Sequence, residues 1–216
     1  MLLAAGALGQ WFQPPPAPEL TPAGQALIFD FETGGEADYD RWPHPEYPGG
    51  PSGVTWGIGY DAHQNRRGII LEDWAALAAP DLLRLAATQP FYGTAARAKA
   101  RAVRDVTVPW ALSTTVFLNV DLSRTREQCE RAFPGFDVLA PACQDAIESL
   151  VFNRGSSMIG PSRREMRAIR DDVPQRDYAG IAAQLRTMER VWRGMDIYAG
   201  MRRRREAEAE LVESCL

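Results

Sequence analysis

Val54 to Tyr60 is the one stretch of this chain that alternates with the two-residue period of a strand. Val54, Trp56, Ile58 and Tyr60 fall on one side of it, and Thr55, Gly57 and Gly59 on the other. From about Glu72 onward the apolar spacing is helical, and Pro109, Pro134, Pro141 and Pro161 punctuate the segments. So short a β-element has no second sheet to pack on and must be buried against helices. The spacing therefore predicts an α+β, mainly helical protein with a small β-element inserted in a helical body.

At 216 residues the chain fits one domain, and 45% hydrophobic with 24% charged residues is enough to bury a core. A formal net charge of -4 excludes nucleic acid and anionic lipid as partners held by the overall field. It equally excludes long-range attraction to an anionic cell wall, so such a substrate would be gripped by local contacts. No segment approaches the ~20 apolar residues of a membrane span. Cys129, Cys143 and Cys215 lack zinc-ligand spacing and read as free thiols, with a Cys129–Cys143 bridge as the alternative in an oxidising compartment. His44 and His63 sit in polar stretches and read as loop histidines.

The first eight residues are apolar, but no Lys or Arg precedes them and Trp11 and a proline run follow, which argues against a signal peptide. Residues 1–20 read as a proline-rich arm or linker, and residues 21–216 as the folded domain. Thr21-Pro22 supplies an N-cap and a Pro at the first helical position. Leu27, Ile28 and Phe31 form a buried stripe, and Gly34-Gly35 ends that helix. Glu36 to Gly53 has no period and reads as a long ordered loop. The helix after Pro141 puts Cys143, Ile147, Leu150 and Val151 on one face and ends at Asn153-Arg154-Gly155. In the last helix Arg202, Arg204, Glu206 and Glu208 have the spacing of i,i+4 pairs on a solvated face, a reading preferred over a nucleic-acid patch.

Glu32 is the residue on which a chemistry can be built. It lies in the last turn of a short helix, where carbonyl dipoles disfavour a negative charge, and Asp30 and partial burial act in the same direction. These influences would keep its carboxyl protonated, as protonation of a leaving-group oxygen requires. Gly57 and Gly59 would leave a groove floor without side chains, where a sugar ring can lie on the backbone, and the Thr55 hydroxyl could hold a water there. Periodicity alone favours the plainer reading, an exposed Glu beside a Gly-rich hairpin with packing roles.

Phe31-Glu32-Thr33-Gly34-Gly35 followed by Ser52-Gly53-Val54-Thr55-Trp56-Gly57-Ile58-Gly59-Tyr60 resembles the catalytic helix and hairpin of phage-type lysozymes, the endolysin family. Further matches follow in order. Ser149-Leu150-Val151-Phe152-Asn153-Arg154-Gly155 looks like that family's helix ending at the cleft. Arg163-Arg164-Glu165-Met166-Arg167-Ala168-Ile169 looks like the next helix, and the Gly200–Glu208 run like the Arg-rich C-terminal one. The resemblance covers about Thr21 to Leu216. It implies a lysozyme-like fold with a small β-hairpin beside a helical body. It further implies hydrolysis of the β-1,4 bond between N-acetylmuramic acid and N-acetylglucosamine in peptidoglycan, without metal or cofactor. Glu32 would then be the acid, Thr55 would place the attacking water, and Asn153 would face the substrate.

One departure stands out. The family places an Asp about six residues before the Thr, and here Gly49 has that spacing. Asp40, Asp61 and Ser52 are the candidates left for polarising the water. A missing second carboxylate would favour cleavage by Glu32 alone, giving a 1,6-anhydro product as lytic transglycosylases do. Gly57 and Tyr60 belong to the expected substrate groove. Trp42 and Tyr47 are candidate sugar-stacking aromatics, whereas Trp56, Trp110 and Trp192 read as core. Arg163 and Arg164 are read as surface residues, with wall-peptide carboxylates as the alternative. A non-catalytic glycan-binding or structural module is the reading from another class. Synthesis in the cytoplasm and action on the cell wall fit an endolysin, a tail muramidase or a delivered toxin, and a toxin would need delivery machinery and an immunity partner.

Overall fold

The computed structural model describes residues 20–216. The apolar start and the body of the proline-rich arm lie outside the described residues. Helix α1 (Pro22–Thr33) begins where the sequence predicts: Thr21 Oγ1 accepts a hydrogen bond from Gly24 N at 3.0 Å. The same residue donates from its N and its hydroxyl to Asp145 Oδ2, at 2.9 and 2.5 Å, which pins the start of α1 to a helix 124 positions away in sequence. Gly34 closes α1 in the left-handed conformation with φ 71°, and its N–H donates to Asp30 O at 3.1 Å.

The segment expected to be an irregular loop contains one turn of helix, α2 (Glu36–Tyr39). Its anchor is Tyr39, buried, whose hydroxyl donates to the Val108 carbonyl at 2.9 Å. The continuous strand expected over Val54–Tyr60 is corrected as well. It is an antiparallel hairpin of β1 (Thr55–Trp56) and β2 (Tyr60–Asp61), with Thr55 opposite Asp61 and Trp56 opposite Tyr60. Gly57 and Gly59 adopt φ 59° and 78° and make the turn, a region that side chains avoid. A Cβ on Gly57 would come within 2.6 Å of the Trp74 ring, a second reason for glycine there. The alternation nevertheless survives as burial: Val54, Trp56, Ile58 and Tyr60 are all inside. Glu46 adds an isolated bridge to Thr55 on the other side of β1.

Beyond the hairpin the chain is helical: α3 (Arg67–Asp73), α4 (Ala79–Ala86), α5 (Thr94–Val103) and α6 (Trp110–Val116). A π-helical turn over Phe117–Asp121 leads into α7 (Leu122–Ala132). Then follow α8 (Pro141–Arg154), α9 (Arg164–Asp172), α10 (Tyr178–Thr187) and α11 (Tyr198–Glu213). Two large apolar clusters result. One joins the hairpin to α3, α4 and α5 around Trp56, Tyr60 and Trp74. The other fills the space between α7 and α11 around Phe133, Ile147 and Leu185. Ile28, Tyr39, Ile58, Phe117 and Leu122 form a smaller cluster between them, so α1 lies where the two halves meet. At about 25 cal/mol per Å² these clusters are the main favourable term of folding.

Helix α8 differs from the one-faced helix expected. Every residue from Cys143 to Val151 is buried, including Gln144, Asp145, Glu148 and Ser149. Gln144 donates to the Leu139 and Asp137 carbonyls, Asp145 holds Thr21, Ser149 donates to Glu208, and Glu148 pairs with Arg126 at 2.7 Å through Oε1 while its Oε2 has no partner among the described residues. Cys129 and Cys143 are free and buried, and burial pushes the Cys143 thiol up to about 12. Among the described residues no helix is long and apolar enough to cross a membrane.

Candidate functional site

A groove runs between the hairpin and the helical body, and Glu32 lies at its middle. One arm, of about 470 Å³, is walled by Thr33, Asp38, Tyr39, Trp42, His44 and Glu46 and floored by Thr55, Trp56 and Gly57. The other, of about 590 Å³, lies between Tyr60, Asp61 and Asn65 of the hairpin side and Asp121, Arg124, Thr125, Val151 and Phe152 of the helices. Glu32 and Gly59 line both arms. A polymer lying in the groove must therefore pass over them, with subunits on either side.

The local sequence explains how Glu32 comes to be there. The left-handed Gly34 stops α1 one residue after Thr33, so the last turn of the helix opens into the groove. Behind it stands a cation that the sequence reading did not foresee. Arg204 Nη1 donates to Glu32 Oε1 at 2.5 Å, and the two side chains are 4% and 21% exposed. Arg204 is itself held by Ser149, accepting through O and Oγ at 3.1 Å, and by Glu208 at 3.3 Å. Arg205 completes the network with a 2.7 Å contact to Glu208. In the last helix the solvated-face reading holds for Arg202 and Glu206, both exposed, and is overturned at Arg204 and Glu208, whose i,i+4 pair is buried. Arg204, Arg205 and Glu208 are buried, Arg202 pairs with Glu189 rather than Glu206, and Glu206 pairs with Arg186. An i,i+4 Arg–Glu spacing looks the same on a wet face and in a buried network.

Thr55 and Glu46 line the same arm of the groove as Glu32. They exchange both backbone hydrogen bonds, Glu46 N to Thr55 O at 2.8 Å and Thr55 N to Glu46 O at 2.9 Å. Residues so paired project their side chains to the same side of the ribbon. The Thr55 hydroxyl oxygen is buried without a hydrogen-bond partner, while Glu46 is exposed and makes no ion pair among the described residues. A buried hydroxyl left unpaired costs stability, so the fold has forgone a hydrogen bond at this position.

The expected residues divide. Glu32, Thr55, Gly57, Tyr60, Asp61 and Trp42 share the groove, with Trp42 58% exposed at its rim. Asp61, however, is used structurally: its carboxylate accepts from Gly53 N at 3.1 Å and from His63 N at 2.9 Å, capping the turn Ala62–Gln64. Tyr60 donates to Asp73 at 2.7 Å, and both burial and that bond raise its pKa. Asp40, Ser52, Tyr47 and Asn153 do not line the two arms. Asp40 is the exposed C-cap of α2, Ser52 packs under α5 with its carbonyl on Gly93 N, and Tyr47 donates to Gly50 O at 2.7 Å. Asn153 accepts from Arg205 at 3.3 Å, behind the groove. Arg163 serves α8, donating to the Arg154 carbonyl at 2.5 Å, and Arg164 pairs with Glu165.

Sequence reasoning missed Glu46, Asp38, His44 and Asp121. His44, read as a loop residue, is fixed by its Nδ1 at 2.9 Å from the Val106 carbonyl and stands edge-on to Trp42. Asp121 ends the π-helical turn, an irregularity frequent at functional sites. Burial, and to a lesser degree Asp73, raises its carboxyl to about 7 against the pull of Arg124. Among the described residues no group of three or more His, Cys, Asp or Glu side chains is arranged to hold a metal ion. A second hollow, lined by Arg186, Arg190 and Arg202, has its charges paired with Glu206, Glu165 and Glu189 and offers no free acid.

No protein-family model matches the chain, and comparison with curated proteins gives no match.

Proposed function

We propose that the chain is a lysozyme-like muramidase, a glycoside hydrolase of peptidoglycan with Glu32 as its general acid. The observation that carries this reading is the position of Glu32 at the junction of two groove arms, one of them floored by Thr55. An open groove with an acid at its midpoint suits an endo-acting enzyme that cuts within a strand. The motif resemblance to phage-type lysozymes adds weight to the same reading.

In this mechanism Arg204 engages and orients Oε1 of Glu32, and Oε2, which has no hydrogen-bond partner among the described residues, delivers the proton. That proton passes to the glycosidic oxygen as the bond from the anomeric carbon to it breaks. Thr55 holds a water on the opposite face of the sugar, and Glu46 accepts the proton that the water loses as its oxygen bonds to the anomeric carbon. A base acting on a water held by Thr55 would make the reaction inverting, without a covalent intermediate. Glu46 thereby fills the role for which Asp40, Asp61 and Ser52 were the sequence candidates, and weakens the case for a transglycosylase. Lysis of a bacterial wall would be the biological outcome, whether the protein is released or delivered.

Digestion of purified peptidoglycan by wild type beside Glu32→Gln, with products identified by mass, tests the proposal. Reducing-end muropeptides from wild type only are expected. Anhydro products one water lighter would move the protein to the transglycosylases. No fragments from wild type would leave a glycan-binding module.

A further inference from the structure

The groove does not stop at its rim. Trp42 and Glu46, which wall one arm, also line a shallower hollow of about 240 Å³ together with Pro45, Tyr47, Arg97, Ala100, Arg101 and Arg104. Arg97 and Arg101 are one turn apart on α5 and Arg104 is its C-cap, so the three guanidiniums form a stripe on one face. All three are exposed, and none takes part in an ion pair or side-chain hydrogen bond among the described residues. This is unlike the rest of the basic surface near α5. Arg84 is clamped between Asp81 and Asp105, and Lys99 lies over the Phe91 ring. A protein of net charge -4 has thus kept three arginines without an ion pair together at the end of its groove, with the Glu46 carboxylate lining the same hollow.

Their setting favours a ligand that is partly sugar and partly anion. Trp42 offers an exposed ring at the junction, and Tyr47 is fixed by its bond to Gly50 O, so the floor of the hollow is preorganised. Guanidiniums pair with carboxylates in bidentate fashion, and a row of them spaced by helical turns can follow an extended anionic chain. From this geometry we infer that Arg97, Arg101 and Arg104 form a subsite for the carboxylates of the peptide stem borne by a muramyl residue in the adjoining arm. The inference rests on the peptidoglycan reading above and names the part of that substrate which a bare glycan lacks. It also supplies the local grip that the acidic overall charge makes necessary.

The test compares two substrates prepared from the same wall after removal of phosphate polymers: glycan strands with their peptide stems, and strands stripped of peptides by an amidase. Wild type and the triple variant Arg97→Gln, Arg101→Gln, Arg104→Gln are assayed on both. The expected result is that the preference of wild type for peptide-bearing strands, as a ratio of kcat/KM, falls about tenfold in the variant. The loss should lie in KM and shrink at high salt. An unchanged preference would overturn the inference. So would a tenfold loss seen only when phosphate polymers are left on the wall, which would assign the stripe to phosphate. Co-sedimentation of the Glu32→Gln protein with the two strand preparations reads the same preference without turnover. It therefore separates failure of the subsite from failure of the muramidase reading.

Discussion

Arg204 Nη1 donates to Glu32 Oε1 at 2.5 Å, across 172 positions of sequence. The pair links the last helix to the end of the first, and Arg204 is fixed in turn by Ser149 and Glu208. An acid that must meet a glycosidic oxygen gains from such a clamp, because misplacement by about 1 Å can cost on the order of 100-fold in rate. Arg204→Lys keeps the charge but cannot reach Glu32, Ser149 and Glu208 together. The expected outcome is a fall in kcat of roughly 10- to 100-fold with KM changed little. A steady-state comparison on one glycan substrate checks this. Equal loss in both parameters, or none, would count against a positioning role.

Glu46 provides a sharper test of the mechanism. As the base for the water beside Thr55, its replacement by Gln should lower kcat by roughly 100- to 10,000-fold while binding to inactive glycan fragments persists. Glu46 is exposed and its backbone bonds to Thr55 do not involve the side chain, so the fold should tolerate the change. Activity within threefold of wild type would remove Glu46 from the mechanism and leave Glu32 standing. Thr55→Val, which deletes the unpartnered hydroxyl, should produce a loss in the same direction.

Some of this was legible in the sequence, and the reasons are local. Thr21-Pro22 and Gly34 mark the ends of α1 because caps depend on adjacent residues. The alternation Val54, Trp56, Ile58, Tyr60 foretold which side chains are buried. It could not show that the two intervening glycines turn the chain back, since alternation is indifferent to φ. The fate of Arg204 and Glu208 was hidden because their spacing is common to surface helices, and the groups that hold them, Glu32 and Ser149, come from helices distant in sequence. Glu46 was hidden differently. Its pairing with Thr55 spans a Pro- and Gly-rich loop whose register no periodicity reports.

Asp121 should make stability depend on pH. Its carboxyl is raised to about 7, chiefly by burial, from an ordinary value of 3.8. The folded state therefore holds a proton that the unfolded state releases earlier, and the group costs stability as pH rises from about 4 to 7. Asp121→Asn removes that cost. The variant should match wild type near pH 4 and exceed it at pH 8 by on the order of 1–3 kcal/mol. Thermal unfolding at the two pH values checks the sign. A variant less stable at pH 8 would mean that the ionised carboxylate is needed, through Arg124 or Asp73.

The opposite consequence of burial is expected at Arg126. Its guanidinium pairs with Glu148 at 2.7 Å and with Gln144 Oε1 at 2.5 Å, covering the polar side of α8 where it meets α7. Glu148 is fully buried, and its carboxyl is already raised to about 7 by burial despite that cation. Arg126→Met would leave the carboxylate without its counter-charge at neutral pH, at a cost of about 3–5 kcal/mol. The double variant Arg126→Met, Glu148→Gln removes both charges and should recover much of the loss, since a buried pair is worth little more than a neutral replacement. Neither side chain lines the groove, so the double variant should also keep its turnover on peptidoglycan. Denaturant midpoints for the three proteins at pH 7.5 would decide the matter. If the double variant is no more stable than Arg126→Met alone, the cost lies in lost packing of the arginine stem and not in the stranded charge.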